Sequence, residues 1–551
     1  MIFFLPLRKN CVNLPAFCAT IRTIMMMHRI YNTAVVLLTL FFFSPYIVAE
    51  TTLRITDKES WTSFQLSAYT GQEVRLADDW YVTNNYNGYR ISPRRIYSPT
   101  NQVLPASSDY YSMLSLNASG SVSLTGVSGY HRMGERLHNA VVRVQSTGSV
   151  SLVSGTWVGN SREDILQGYD QSAIDRKGKH TLLVCAANLE YYLVENLGTG
   201  YGPDSYNEHQ AQRRKVSQAL AKINADIYGL VEVEMGQTAL QEIASDLTKA
   251  TGRVFTYVDD GSSTNGSYTK SGYVYCAQTV TPYGDIRSNN AGVKNRKQMQ
   301  CFEEKATGER FIFSINHFKA KSGNGYGDNA DRDDGQSSYN GDRVREAQSV
   351  VNEYESFRYF VDDEDMLLMG DLNAYAKEDP IRVLTDYGMT DLHRYCHKDS
   401  SYSYTYHGEA GYLDHALANA SLLPQVTGMA AYHINSDESD NFTYDKADDG
   451  TMFRYSDHDP VLVGLNLSKA GTLDEAALVS NAQILFADGY LTVDNAAGGY
   501  VRVYDMQGRS VYEAHIQSET FTLPVGEWNA GMYVIHVYHN QQVKHCKAIV
   551  R

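Results

Sequence analysis

Six short apolar runs in the middle of this chain each finish on, or lead into, Asn, Asp, Glu or His. They are TLLVCAAN (181–188), DIYGLVE (226–232), FIFSINH (311–317), MLLMGD (366–371), YLDH (412–415) and YSDHDP (455–460), the last two joined to further apolar residues. Runs of this length and composition read as buried strands. One polar residue at a strand end is ordinarily a turn or cap former. The same residue types at the ends of six runs in one region are better explained by a shared sheet edge, where α/β proteins bind ligands.

The stretch MGDLNAYAKEDP (369–380) carries the most chemistry. Gly370 gives the backbone room to turn, and Asp371 and Asn373 follow, two apart and so on one side of an extended chain. A carboxylate there can hold a hard cation or orient a water, and the amide can contact a phosphate oxygen without adding repulsive charge. Carboxylates, amides and histidines with no Cys or Lys nucleophile point to metal-assisted hydrolysis of a phosphoester.

Helical spacing separates the runs: Val216, Leu220 and Ile223 in one segment, Leu240, Ile243 and Leu247 in the next, and a third helix over 343–359. Strands alternating with helices predict an α/β domain over 178–467. By strand alternation Glu234 shares a face with Glu232 and is a rival metal ligand, and Glu190 follows the first run.

A chain of 551 residues needs more than one core. Residues 50–177 show short alternating runs between turn residues and read as a β-rich domain, by default a packing or substrate-presenting module. Residues 468–478 read as a linker, and 479–551 return to a β meander without an acidic cluster. Residues 1–49 contain a basic start at His28 and Arg29, an apolar stretch over 34–43 and a small residue, Ala49. That is the anatomy of a secretory signal peptide, so the mature protein is expected outside the cell. Of seven cysteines, Cys276 and Cys301 lie on neighbouring strand-like segments and either pair after export or stay as separate buried thiols. A net charge of −15 argues against indiscriminate coating of nucleic acid, but not against a nuclease using metal and a few local cations.

The ordered set Asn188, Glu232, NHFKAKSG with His317, GDLNAY with Asp371 and Asn373, GYLDHALA with Asp414, and YSDHDPVLVGL with Asp457 and His458 resembles the endonuclease/exonuclease/phosphatase superfamily, the DNase I-like fold. DRDDGQSSYNGDRVREAQ (331–348) is similar to a loop and helix of its secreted bacterial nucleases. The resemblance implies a four-layer α/β sandwich, two packed β-sheets flanked by helices, here with N-terminal and C-terminal all-β domains. YVRVYDMQGRSVY (500–512) and LPVGEWNAGMYVIHV (523–537) resemble C-terminal sorting domains of type IX secretion substrates, which implies secretion machinery as a partner.

The family resemblance also implies roles. Glu232 holds a metal, with Asp457 and Asn188 in or beside its shell. The metal is expected to be Mg²⁺, with Mn²⁺ or Ca²⁺ as alternatives. His317 and His458 contact the phosphate, Asp414 fixes the His458 imidazole, Asp371 orients or deprotonates the attacking water, and Asn373 binds a phosphate oxygen. Arg296, Arg343 and Lys319 are substrate-binding candidates, with Lys321 following a polymer backbone. The Asp414–His458 pair is expected at a solvated edge. The function implied is a secreted, metal-dependent endonuclease acting on DNA. Its rivals are a phosphatase or lipid phosphodiesterase of the same superfamily, and a surface adhesin that kept the fold without turnover.

Overall fold

The structure, a computed structural model, describes residues 51–264, 269–289, 296–398, 400–442, 448–467, 483–487, 489–505, 510–526, 528–539 and 542–550. The expected signal peptide (1–49) and linker (468–478) lie outside the described residues.

The N-terminal region forms a seven-stranded sheet over residues 51–158. Trp61, Trp80, Leu137 and Val142 close its core, with the two tryptophan rings edge to face at 5.0 Å. It also carries a helix, Ser108–Ala118, whose N-cap Ser107 accepts from the Tyr110 amide.

The central domain is built on two six-stranded sheets. The first contains β1 (Leu182–Tyr192), β2 (Ile227–Glu234), β3 (Phe255–Tyr257), β4 (Thr269–Cys276), β11 (Val426–Ala431) and β12 (Val461–Leu465), in the order β3-β4-β2-β1-β12-β11. The second contains β5 (Val280–Asn289), β6 (Lys297–Glu304), β7 (Arg310–His317), β8 (Met366–Asp371), β9 (Thr390–Asp391) and β10 (Asp414–Ala418), in the order β5-β6-β7-β8-β10-β9. The pairs β1–β2 and β7–β8 are parallel and the remaining neighbours antiparallel.

Three layers of apolar side chains hold this arrangement. Val184, Val231, Phe313, Met369 and Val463 pack between the sheets. Helices α1 (Tyr206–Ile223) and α2 (Thr238–Thr251) cover the first sheet through Val216, Leu220, Leu240 and Leu247. Helices α3 (Asn340–Val361) and α4 (Asp379–Asp386) cover the second through Val350, Phe357, Ile381 and Leu384. The helices start and stop where local chemistry dictates: Ser205 caps α1 by accepting from the Glu208 amide, and Asn224 ends it in the left-handed region. Strands of continuous apolar residues are what a sheet covered on both faces requires. This is the expected four-layer sandwich.

The layering also decides the cysteine question. Cys276 lies in the layer outside the first sheet and Cys301 in the layer outside the second, so the whole inter-sheet core separates them. Both are free and buried, so of the two alternatives it is separate buried thiols that the fold holds.

The C-terminal region forms a three-stranded and a four-stranded sheet around Leu491, Val501, Val503 and Ile535. Its Arg502 donates to the Asp386 carbonyl at the end of α4. Among the described residues no helix is long and apolar enough to cross a membrane.

Candidate active site

Strand register brings the predicted residues together. His317 at the end of β7 is the register partner of Asp371 on β8, and Asp371 is the partner of Asp414 on β10. Gly370 permits the turn with φ +123°, and the Asn373 amide then donates to Asp371 Oδ1 at 2.9 Å in an Asx turn. Asn188 reaches across from the first sheet, its amide nitrogen 3.2 Å from Asp371 Oδ2 and 3.4 Å from Glu232 Oε1. His317 Nε2 lies 3.4 Å from Glu232 and 3.6 Å from Asp371. His458, in the loop before β12, donates from Nδ1 to Asp414 Oδ2 at 2.6 Å, and its Nε2 faces Asp371 and Asp457, each at 3.9 Å. Asn373 also donates from its side chain to the Phe318 carbonyl.

Electrostatics set the two histidines apart. Burial, the Arg296 guanidinium and His458 hold His317 well below the usual imidazole range. Burial opposes charge on His458 too, but Asp414, Asp457 and Asp371 outweigh it and raise that imidazole well above its ordinary value. The two rings are thus pushed in opposite directions, His317 toward the neutral form and His458 toward the imidazolium. Burial pushes the Asp371 carboxyl up to about 7, with Asp414 adding to the rise and His458 opposing it. Glu232 is raised by burial and by Asp457, and Glu190 is raised well above the carboxylate range by burial and by the same neighbour.

Glu232, His317 and Asp371 each present a ligand atom within 4.8 Å of the others. Crowded carboxylates whose protons are held on by burial and mutual repulsion are what a divalent cation would relieve. The donor set, mainly oxygen with one imidazole, fits a hard or borderline cation. Asp457 is partly exposed and acts electrostatically on both Glu232 and Glu190.

Several expectations are corrected. Glu234 does not share a site with Glu232, because Glu232 takes φ +59° and breaks the alternation. Glu234 turns inward and accepts from the amides of Val194, Glu195 and Asn196, at 2.8, 2.9 and 2.7 Å. Arg343 is fully buried and spends its guanidinium on the carbonyls of Lys319, Ser338 and Gln336, bracing the loop before α3 rather than meeting a phosphate. Lys321 is tied to both oxygens of Glu378, at 2.7 and 2.6 Å, which takes it out of any polymer-tracking surface. The Asp414–His458 pair is buried, not at a solvated edge. Arg296 sits at the site with Nη2 2.6 Å from His317, and the Lys319 ammonium lies 4.4 Å from the Tyr339 ring centroid.

Sequence reasoning missed Tyr404, whose ring stacks on His458 at 4.6 Å, and Ser403, whose hydroxyl donates to Asp414 Oδ2 at 2.7 Å. Both lie in SYSYTY, a polar, aromatic stretch with no motif to mark it.

Fold and site together define a hydrolase of the phosphoester-processing α/β sandwich class. Residues 196–458 match the Endonuclease/Exonuclease/phosphatase family, and residues 487–551 match the Secretion system C-terminal sorting domain. The first match covers most of the central domain, and the tail marks the chain for export to the cell surface or extracellular space. Among solved structures the chain is similar to an endonuclease/exonuclease/phosphatase from Bacteroides vulgatus, at 16% identity over 52% of this chain and 98% of that one, TM-score 0.35. It is similar to D. rerio TDP2 complexed with single strand DNA product, at 14% identity over 52% and 98%, TM-score 0.35. A Bacteroides thetaiotaomicron mannosyl-6-phosphatase aligns at 16% identity over 52% and 100%, TM-score 0.34. No curated protein matches the sequence.

Proposed function

We propose that this protein is an exported, divalent-cation-dependent phosphodiesterase that cleaves nucleic acid internally, with DNA as its substrate. The observation that carries the reading is the convergence of an acidic cluster, Glu232 and Asp371, with His317 and with a His458 held by Asp414. Glu232 would hold the cation, Mg²⁺ by preference, with Asp457 and Asn188 beside it. When bound, such a cation neutralises phosphate oxygens and stabilises the departing oxygen. The chain supplies the rest. His458 offers an imidazolium N–H from Nε2 to a phosphate oxygen, and Asp414 keeps that ring charged and oriented. Asp371, with its affinity for a proton raised to about 7, can accept one from the attacking water near neutral pH. The Asn373 amide lies beside it for a further phosphate oxygen, and Arg296 and Lys319 supply positive charge at the rim.

Incubating the purified protein with closed circular DNA, RNA and a phosphomonoester, each with and without chelator, tests the reading. Circles should be nicked and degraded, with activity lost to chelator and restored by Mg²⁺ or Mn²⁺. Resistant circles beside a hydrolysed monoester would make it a phosphatase. Full activity in excess chelator would remove the metal from the mechanism.

A further inference from the structure

Asp437 and Glu438 stand side by side in the loop that follows β11, both completely enclosed. Their counter-charges come from the other domain. Arg95 Nη2 lies 2.5 Å from Asp437 Oδ1, Arg132 Nε lies 2.5 Å from Glu438 Oε1, and Arg162 Nη2 lies 2.6 Å from Glu438 Oε2. Tyr130 and Asn160 donate to the same two carboxylates. Arg132 also donates to the His433 carbonyl.

We propose that the N-terminal domain is a positioning element of the active site, holding the loops that seat His458 against Asp414. The proposal rests on His458 serving the phosphate as described above.

Two separate connections reach the histidine. Along the first, Asp437 Oδ2 accepts from the Tyr402 hydroxyl at 2.7 Å, and the Tyr402 ring stacks on His433 at 3.9 Å. His433 Nδ1 is 2.9 Å from Asp459 Oδ2, and Asp459 Oδ1 accepts the amides of Asn435 and Ser436. Asn435 then donates from its side chain to the His458 carbonyl at 2.6 Å. Along the second, the N-terminal segment 96–101 pairs with the hairpin Tyr404–Tyr406 and Glu409–Gly411. The Ala410 amide donates to Ile96 at 2.8 Å, the Ser98 amide donates to Ala410 at 2.9 Å, and the Tyr412 amide donates to Asn101 Oδ1. This hairpin carries the Tyr404 ring that covers His458, and Ser403 beside it donates to Asp414.

The imidazole is thus bounded by Asp414 on one side and, on its ring face and backbone, by groups fixed through the other domain. Buried carboxylates keep their place only while their partners remain. Loosening the interface would let the ring drift without unfolding either core. A misplacement of about 1 Å can cost on the order of a hundredfold in rate.

The test uses the full chain with Mg²⁺ and bis(p-nitrophenyl) phosphate as probe, comparing Asp437→Asn, Tyr402→Phe and Val142→Ala. Val142 lies in the core of the N-terminal sheet and lowers that domain's stability without touching the interface loops. Asp437→Asn should cut kcat roughly tenfold or more while KM stays within about twofold. The amides of Asn435 and Ser436 should exchange hydrogen faster. Val142→Ala should keep wild-type kcat at a temperature where melting shows every variant folded. If Asp437→Asn does not fold, Tyr402→Phe, which removes only the hydroxyl donor, carries the same comparison. Wild-type kcat in a folded interface variant, or an equal loss in Val142→Ala, overturns the proposal. A parallel His458→Ala variant separates the two readings: full activity there would refute the site itself, whereas a dead His458→Ala beside a fully active Asp437→Asn would refute only the role of the N-terminal domain.

Discussion

Asp414 Oδ2 lies 2.6 Å from His458 Nδ1 and accepts the Ser403 hydroxyl at 2.7 Å, so one buried carboxylate oxygen serves both groups. A donor that is strongest when charge develops on phosphate should dominate the rate. His458→Ala is expected to cost on the order of a hundredfold or more in turnover. Asp414→Asn should be comparably damaging, and the double variant much less than multiplicative because the two act as a unit. Burial adds a stability effect: each single change should lower stability by about 1–3 kcal/mol, since it strands the partner. A double-mutant cycle on kcat, with melting for every variant, checks this. Normal turnover in folded single variants would make the pair structural.

Glu232 and Glu234 make a controlled contrast on one strand. Glu232→Gln should weaken divalent-cation binding in titration calorimetry and leave the melting of the metal-free protein unchanged or raised, because it relieves repulsion among buried acids. Glu234→Ala should leave cation affinity alone. It should destabilise the protein by about 3 kcal/mol, because the amides of Val194, Glu195 and Asn196 lose a charged acceptor. Reversal of these two outcomes would exchange their roles.

Strand ends were legible because they obey local rules. His317 and Asp371 end apolar runs while Asp414 and His458 lead into them, and for the first three parallel or antiparallel register does the rest. Glu234 was misjudged because alternation assumes an unbroken strand, and a single positive φ at Glu232 turns it over. Arg343 and Lys321 look like surface cations in sequence, yet their partners are carbonyls of the loop before α3 and Glu378, contacts that no spacing rule encodes. Nothing in NSDESD (435–440) marks Asp437 and Glu438 for burial. Their burial depends on three arginines some 270 to 340 positions earlier, a relation visible only once both domains are folded.

That same interface should make the protein acid-sensitive. Burial alone would raise the Asp437 carboxyl, but Arg95 and Arg132 outweigh it and lower it to about 2. The folded value lies below that of the unfolded chain, so this contribution is complete above about pH 4 and disappears as pH falls toward 2. Its size is on the order of 2 kcal/mol. Melting followed from pH 7 to pH 2 should show a loss below pH ~4 that is shallower in Asp437→Asn. That variant should also be less stable at pH 7, where Arg95 is left without its charge partner. Identical acid profiles for the two proteins would show that Asp437 is not a source of the acid sensitivity.

Gly370 tests whether the turn that launches Asp371 depends on the absence of a side chain. Its φ is +123°, a region L side chains rarely adopt, and a Cβ there would lie 2.1 Å from the Asn316 carbonyl oxygen and 2.9 Å from the Asn316 nitrogen. Both obstacles are backbone of the neighbouring strand β7, the strand that ends in His317, so neither can rotate away. Gly370→Ala must therefore strain its own backbone and push β8 from β7. The two effects together should destabilise the domain by about 3 kcal/mol, or on the order of 5–10 °C in Tm. Because the displaced strands carry Asp371 and His317, turnover should also fall in the fraction that remains folded. Melting and kcat measured on the same preparation decide it: an unchanged Tm would mean the strands separate without cost, and a lowered Tm with wild-type kcat would mean the turn serves the scaffold rather than the placement of Asp371.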